Sequence, residues 1–178
     1  KPHLAEALTL TSPALHFRDE VSNILNLAHS DFRVSSPEKA SEMSVLIQRS
    51  KSFFDEPMRA AVGLAAQDPE LFTHYFSNKD AMARYFGAWA KNNLTMDMEA
   101  FLSVSSDYGS SPDVSLAVKQ LDLPTQVILG ANDPVIAADR EVATCRKLFK
   151  NLTVLRFSSS SHFPHLEEPE NYLLKLQS

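Results

Sequence analysis

Asp133 and His162 are the two side chains whose types and positions combine into chemistry. Each lies a few residues beyond a short apolar run. Asp133 sits in GANDPV after residues 125–129 (TQVIL), and His162 sits in SSSSHFPH after residues 152–157. If the two runs are neighbouring parallel strands, a carboxylate and an imidazole stand side by side at one rim of a sheet. A carboxylate there fixes the imidazole tautomer and supports the imidazolium when it forms. Histidine suits the base, since an unperturbed imidazole titrates near neutrality. Taken singly, each residue has an ordinary explanation: Asn132-Asp133-Pro134 is good turn chemistry, and His162 follows a serine run. Their common placement makes the pair a candidate catalytic acid and base. His165 fits the start of the next helix better and is expected only to neighbour the pair. His3, His16, His29 and His74 have no mutual spacing for a metal, so no metal and no cofactor are expected.

The elements that must position the pair occupy residues 111–178. Ser111-Pro112-Asp113 opens a helix to about residue 120, and 125–129 is a strand bounded by Pro124 and Gly130. Residues 138–149 form a helix with Ala138, Val142, Cys145 and Phe149 on one face. A strand over 152–157 and a closing helix over 169–176 follow. Strand, helix, strand, helix at these spacings is the pattern of a parallel sheet covered by helices. Chemistry in such sheets collects beyond the carboxyl ends of the strands, where the two loops lie.

Upstream, residues 4–15 carry a short strand around Ala7, Leu8 and Leu10, ended by Ser12-Pro13. Residues 19–108 read as helical almost throughout. Ser36-Pro37-Glu38 and Asp68-Pro69-Glu70 are both helix starts, with proline in the first turn and acid beside it. Ala81, Met82, Tyr85, Phe86 and Trp89 share one helical stripe, and Met98, Phe101, Leu102 and Ser105 another. The YGSSP stretch (108–112) marks a loop.

Composition narrows the function classes. At 178 residues, with 44% hydrophobic and 22% charged residues, the chain belongs to ordinary globular proteins. A net charge of -5 with scattered Lys and Arg argues against nucleic acid. No run approaches the roughly 20 apolar residues that span a bilayer. The single cysteine, Cys145, suits a reducing compartment, so a cytoplasmic location is expected. It falls on the apolar face of its helix and is expected to be inert. Only four glycines occur, few for a complete catalytic α/β domain.

LDLPTQVILGANDPVI resembles the strand and loop that deliver the triad acid in the α/β-hydrolase family. HFPHLEEPENYL resembles that family's histidine loop and final helix, and EALTLTSPAL the strand preceding the cap in cap-bearing members. Acid before histidine is the family's chain order. The resemblance implies an α/β fold: the C-terminal half of an α/β-hydrolase parallel sheet with a large helical cap insertion. Residues 1–18 would give a strand of the core, 19–110 the cap, and 111–178 the C-terminal core with the acid and histidine loops. Asp133 and His162 would be triad members. Tyr85, Phe86 and Trp89 pack as ordinary core or, under the cap reading, line a site for an apolar acyl or ring group. The sequence departs from the family in two places: no G-x-S-x-G occurs, and Ser161 stands where the family has glycine before the histidine. The nucleophile is therefore expected upstream of Lys1, and this chain alone is expected to be inactive. The first strand, left with an open edge, is expected to pair with an N-terminal fragment or a second copy. The implied activity is hydrolysis of an ester, thioester or related acyl bond. The alternative is a non-catalytic ligand-binding or regulatory module that keeps the fold.

Overall fold

The computed structural model describes residues 5–53, 55–93, 103 and 120–176. Three parallel strands form one sheet in the order β1 (Leu8–Thr11), β2 (Thr125–Gly130), β3 (Leu152–Phe157). Leu8, Thr125 and Leu152 lie level in the register, and Gly130 faces Phe157 at the far end. β2 is the central strand. Its Val127, Ile128 and Leu129 are essentially inaccessible to solvent, which is why it reads as an unbroken apolar run rather than an alternating one. The expected first strand is confined to four residues, and its outer edge has no partner strand among the described residues. Ser12, just beyond it, has a φ of 45°, a conformation that non-glycine residues rarely adopt.

Helix α1 (Phe17–Ser35) places Val21, Leu25, Ala28 and Phe32 on a buried stripe. The stripe packs on α2 (Pro37–Arg49) through Ala40 and Met43, and on α3 (Glu56–Ala65) through Ala61 and Leu64. Pro37 opens α2 as the sequence indicates, and the Asp55 side chain caps α3 by accepting from Met58 N at 3.0 Å. A second core lies beneath the sheet, where Val142, Cys145 and Leu148 of α5 (Ala138–Leu148) meet Val127 and Leu129. Ile24 and Leu27 of α1 touch both cores, so this helix is the joint between them. Polar ties reinforce that joint. Asn23 Nδ2 donates to Val135 O at 2.8 Å, His16 Nε2 meets Thr144 Oγ1 at 2.7 Å, and Arg140 pairs with Asp19.

Asp68-Pro69-Glu70 does not open an α-helix. A 3-10 turn follows it over Leu71–Tyr75, because Asp68 Oδ1 accepts from Glu70 N at 3.1 Å and Phe76 turns extended. His74 Nε2 then meets Asp31 Oδ2 at 2.6 Å, fastening the turn to α1, and burial raises the neighbouring Asp68 carboxyl. Helix α4 (Lys79–Lys91) is capped by Asn78, whose Oδ1 accepts from Ala81 N at 2.7 Å. Two short helices, α6 (Pro164–Glu167) and α7 (Pro169–Leu176), close the described chain. The helix expected over 111–120, the Met98 to Ser105 stripe, the YGSSP loop and His3 fall outside the described residues. No described helix is long and apolar enough to cross a membrane.

Candidate active site

The acid loop is built by its own aspartate. Asp133 Oδ1 accepts from Val135 N at 2.9 Å and Ile136 N at 3.1 Å, closing a turn around Pro134. Its other oxygen, Oδ2, lies 2.8 Å from His162 Nδ1. The Asp133 side chain is 1% exposed and that of His162 is 19%. The turn role and the partnership with His162 therefore coexist in one side chain. A carboxylate only accepts, so in the neutral ring Nδ1 carries the proton toward Asp133 and Nε2 is left as the acceptor. This is the tautomer a general base requires.

The histidine loop is held just as closely. Within the serine run 158–161, Ser160 and Ser161 are 0% and 2% exposed. Ser160 Oγ donates to Glu168 Oε1 at 2.7 Å, and Ser161 Oγ to His74 O at 3.0 Å. Burial opposes ionisation of Glu168, but hydrogen bonds from Ser160, Asn171 and Ser159 outweigh it and hold the carboxyl below its ordinary range. Ser12 Oγ donates to His162 O at 2.7 Å, so the unusual backbone at the end of β1 aims a hydroxyl at the loop. The hydroxyls of Ser12, Ser160 and Ser161 are thus committed to other acceptors. Gly130 explains how the loop crosses β2: a Cβ there would lie 1.7 Å from Ser161 O and 2.6 Å from Ser160 O. An isolated glycine ending an apolar strand is the sequence signal for such a close approach.

Aromatic rings surround the imidazole. Tyr75 lies edge-on at 5.1 Å between ring centroids and Phe163 at 4.9 Å. From Phe163 the rings continue to Tyr85 at 5.2 Å and from there to Trp89 at 5.6 Å; Phe86 meets Tyr85 at 5.4 Å. Three sequence-stripe residues are therefore linked to His162, but not as core: of α4, only Ala81 is buried. Tyr75 was not singled out from sequence. Burial, with Asp133 nearby, raises its hydroxyl above the ordinary range and keeps it protonated. His165 packs edge-on against Phe163 at 6.1 Å, and burial lowers its pKa. Cys145 is fully buried, its thiol pushed up to about 11 by burial and Glu141.

Behind the acid loop lie two carboxyls that sequence gave no reason to connect. Glu141 Oε2 accepts from Leu15 N at 3.1 Å, and Glu141 is 0% exposed. Glu20 on α1 is 4% exposed, and its Oε1 has no hydrogen-bond partner among the described residues. Burial first, then Glu141, then Asp133 push the Glu20 carboxyl up to about 8. Among the described residues, no group of three or more His, Cys, Asp or Glu side chains could hold a metal ion.

No protein-family model matches the sequence, and no curated protein matches it. Solved structures of an epoxide hydrolase from Bacillus megaterium are similar to it. An inhibitor complex aligns at 18% identity with a TM-score of 0.41, covering 84% of this chain and 55% of that one. A methionine-to-alanine variant gives 17% and 0.39, again covering 84% and 55%. A phenylalanine-to-alanine variant with its product gives 18% and 0.40, covering 84% and 54%. The chain thus spans little more than half the length of the structures it resembles.

Proposed function

We propose that this chain forms the cap and C-terminal core of an α/β-hydrolase, with Asp133 as triad acid and His162 as general base. The observation that carries this reading is the 2.8 Å bond from His162 Nδ1 to a fully buried Asp133 carboxylate, beyond the carboxyl ends of neighbouring parallel strands. His162 Nε2 takes the proton from a nucleophile and later returns it to the leaving group, while Asp133 holds the tautomer and stabilises the imidazolium. The nucleophile lies outside this chain, upstream in the same polypeptide, and the scissile bond is an ester, thioester or related acyl bond. Residues 19–110 act as the cap, a role supported by their separate core and by α1 bridging it to the sheet. Tyr85, Phe86 and Trp89, joined through Phe163 to the imidazole, line the site for an apolar acyl or ring group.

The test is hydrolysis of activated acyl esters by the polypeptide that includes the upstream segment. His162→Ala and Asp133→Asn should each lower kcat by roughly 10³- to 10⁴-fold, since an amide in place of the carboxylate stabilises the wrong tautomer. Equal turnover by wild type and His162→Ala would refute the assignment of the base. A protein that binds acyl ligands tightly but turns over none would favour the binding-module alternative. Residues 1–178 alone should show no esterase activity, and robust turnover would overturn the upstream placement of the nucleophile.

A further inference from the structure

We infer that Glu167 is a positioning residue that makes cap docking and placement of the His162 base a single event. The inference rests on the reading of His162 as the base. It starts from where the backbone donors of the histidine loop go. Ser161 N donates to Glu167 Oε1 at 2.8 Å and Phe163 N to the same oxygen at 3.3 Å. The amide between them, His162 N, donates to Tyr75 O at 3.1 Å. Three consecutive amides centred on the base therefore end on one carboxylate oxygen and on a carbonyl of the helical middle. None of them reaches the sheet.

The second oxygen of Glu167 completes the link. Glu167 Oε2 accepts from Ser77 N at 2.5 Å, two residues after the carbonyl that holds His162. Glu167 is 9% exposed, and its two oxygens accept from three backbone amides, those of Ser77, Ser161 and Phe163. Two further bonds cross the same seam: Ser161 Oγ to His74 O at 3.0 Å and Arg84 Nη2 to Leu166 O at 2.8 Å. Moving residues 74–77 away would strip Glu167 of its shortest bond and His162 of its backbone acceptor. A buried carboxylate that loses a donor is costly, so the two segments move together or not at all. The seam also fixes Tyr75 and Phe163, the rings that flank the imidazole. Lifting the helical middle to admit substrate would thus displace the base from Asp133, and reseating it would restore the pair.

Glu168, the adjacent acid, supplies the control. It holds Ser159 N at 3.2 Å and Ser160 Oγ at 2.7 Å, at the other end of the same loop. The experiment is ¹⁵N NMR of the His162 ring in the full chain, with amide hydrogen exchange, for Glu167→Gln and Glu168→Gln. Glu167→Gln should convert the single Nδ1–H tautomer into a mixture. It should also raise exchange at residues 74–77 and 161–163 together, by roughly tenfold for one lost bond of about 1.4 kcal/mol. Glu168→Gln should loosen residues 158–160 and leave the ring signature unchanged. If Glu167→Gln does not fold, Ser77→Pro removes the partner amide and keeps the carboxylate; Phe76 at φ -128°, ψ 132° already has the backbone a following proline requires. It should give the same ring mixture. A folded Glu167 or Ser77 variant with an unchanged ring signature, or with exchange raised in one segment only, would overturn the inference. These readouts need no turnover, so failure of the ester assay and failure of the coupling are separate results.

Discussion

Replacing Glu20 with glutamine should stabilise the protein at high pH and do little at low pH. The carboxyl keeps its proton to about 8 in the folded chain and releases it near an ordinary 4.5 when unfolded. Between those values the folded state binds more protons than the unfolded one, so stability falls as pH rises. The contribution is fully present below about pH 4.5, declines through the interval and is lost above about 8. At about 1.36 kcal/mol per pH unit, that gap limits the loss to on the order of 5 kcal/mol. Glutamine has nearly the shape of the neutral acid and no proton to lose, so the variant should lack this slope. Urea unfolding followed by far-UV circular dichroism, at half-unit steps from about pH 5 to about pH 9, gives the difference directly. Curves for wild type and Glu20→Gln that stay parallel across this range would refute the claim that burial beside Glu141 and Asp133 keeps Glu20 neutral.

Gly130→Ala should destabilise by on the order of 3 kcal/mol, since the new methyl would meet two backbone carbonyls of the histidine loop. The urea midpoint measures this, and a change below about 0.5 kcal/mol would mean the loop can shift aside. Asn78→Ala should cost about 1 kcal/mol through loss of the α4 cap, read as lowered helicity together with an earlier urea midpoint. Cys145 should resist alkylation in the native chain at about pH 8 and react in denaturant, because its thiol is buried and held near 11. Rapid labelling of the native protein would contradict that burial.

The central strand and the Asp133–His162 pair were legible because a parallel strand buried on both faces leaves consecutive apolar residues. Val127-Ile128-Leu129 is such a stretch, with Pro124 before it and Gly130 after, and the loop beyond it is short enough to count along. α5 was readable from its stripe, ending one residue before the expected Phe149. The 3-10 turn at Leu71–Tyr75 was not readable, because Asp-Pro-Glu serves an Asx turn as well as a helix start. Glu167 and Glu168 were equally opaque. In sequence they are acids near a helix start, and only the returning segments at Ser77 and Ser159–Ser161 turn them into anchors. Glu20 escaped for the same reason: its stripe position on α1 looks solvent-facing until Glu141 and Asp133 arrive from the other half of the chain.

The pairing of β1 with β2 also sets the order in which this molecule can assemble. Leu8 must find Thr125, from the opposite half of the chain, whereas α1, α2 and α3 meet their neighbours across short links. Closing that large loop has an entropic cost before any ladder bond forms, and local helical contacts carry no such delay. The helical core around Phe32 and Met43 should therefore form early, presenting Ile24 and Leu27 as a platform on which the sheet is completed. Truncating Phe32 should slow refolding in stopped-flow experiments, while truncating Val127 should chiefly speed unfolding. The helix that joins the two cores is thus also the element on which late strand pairing waits.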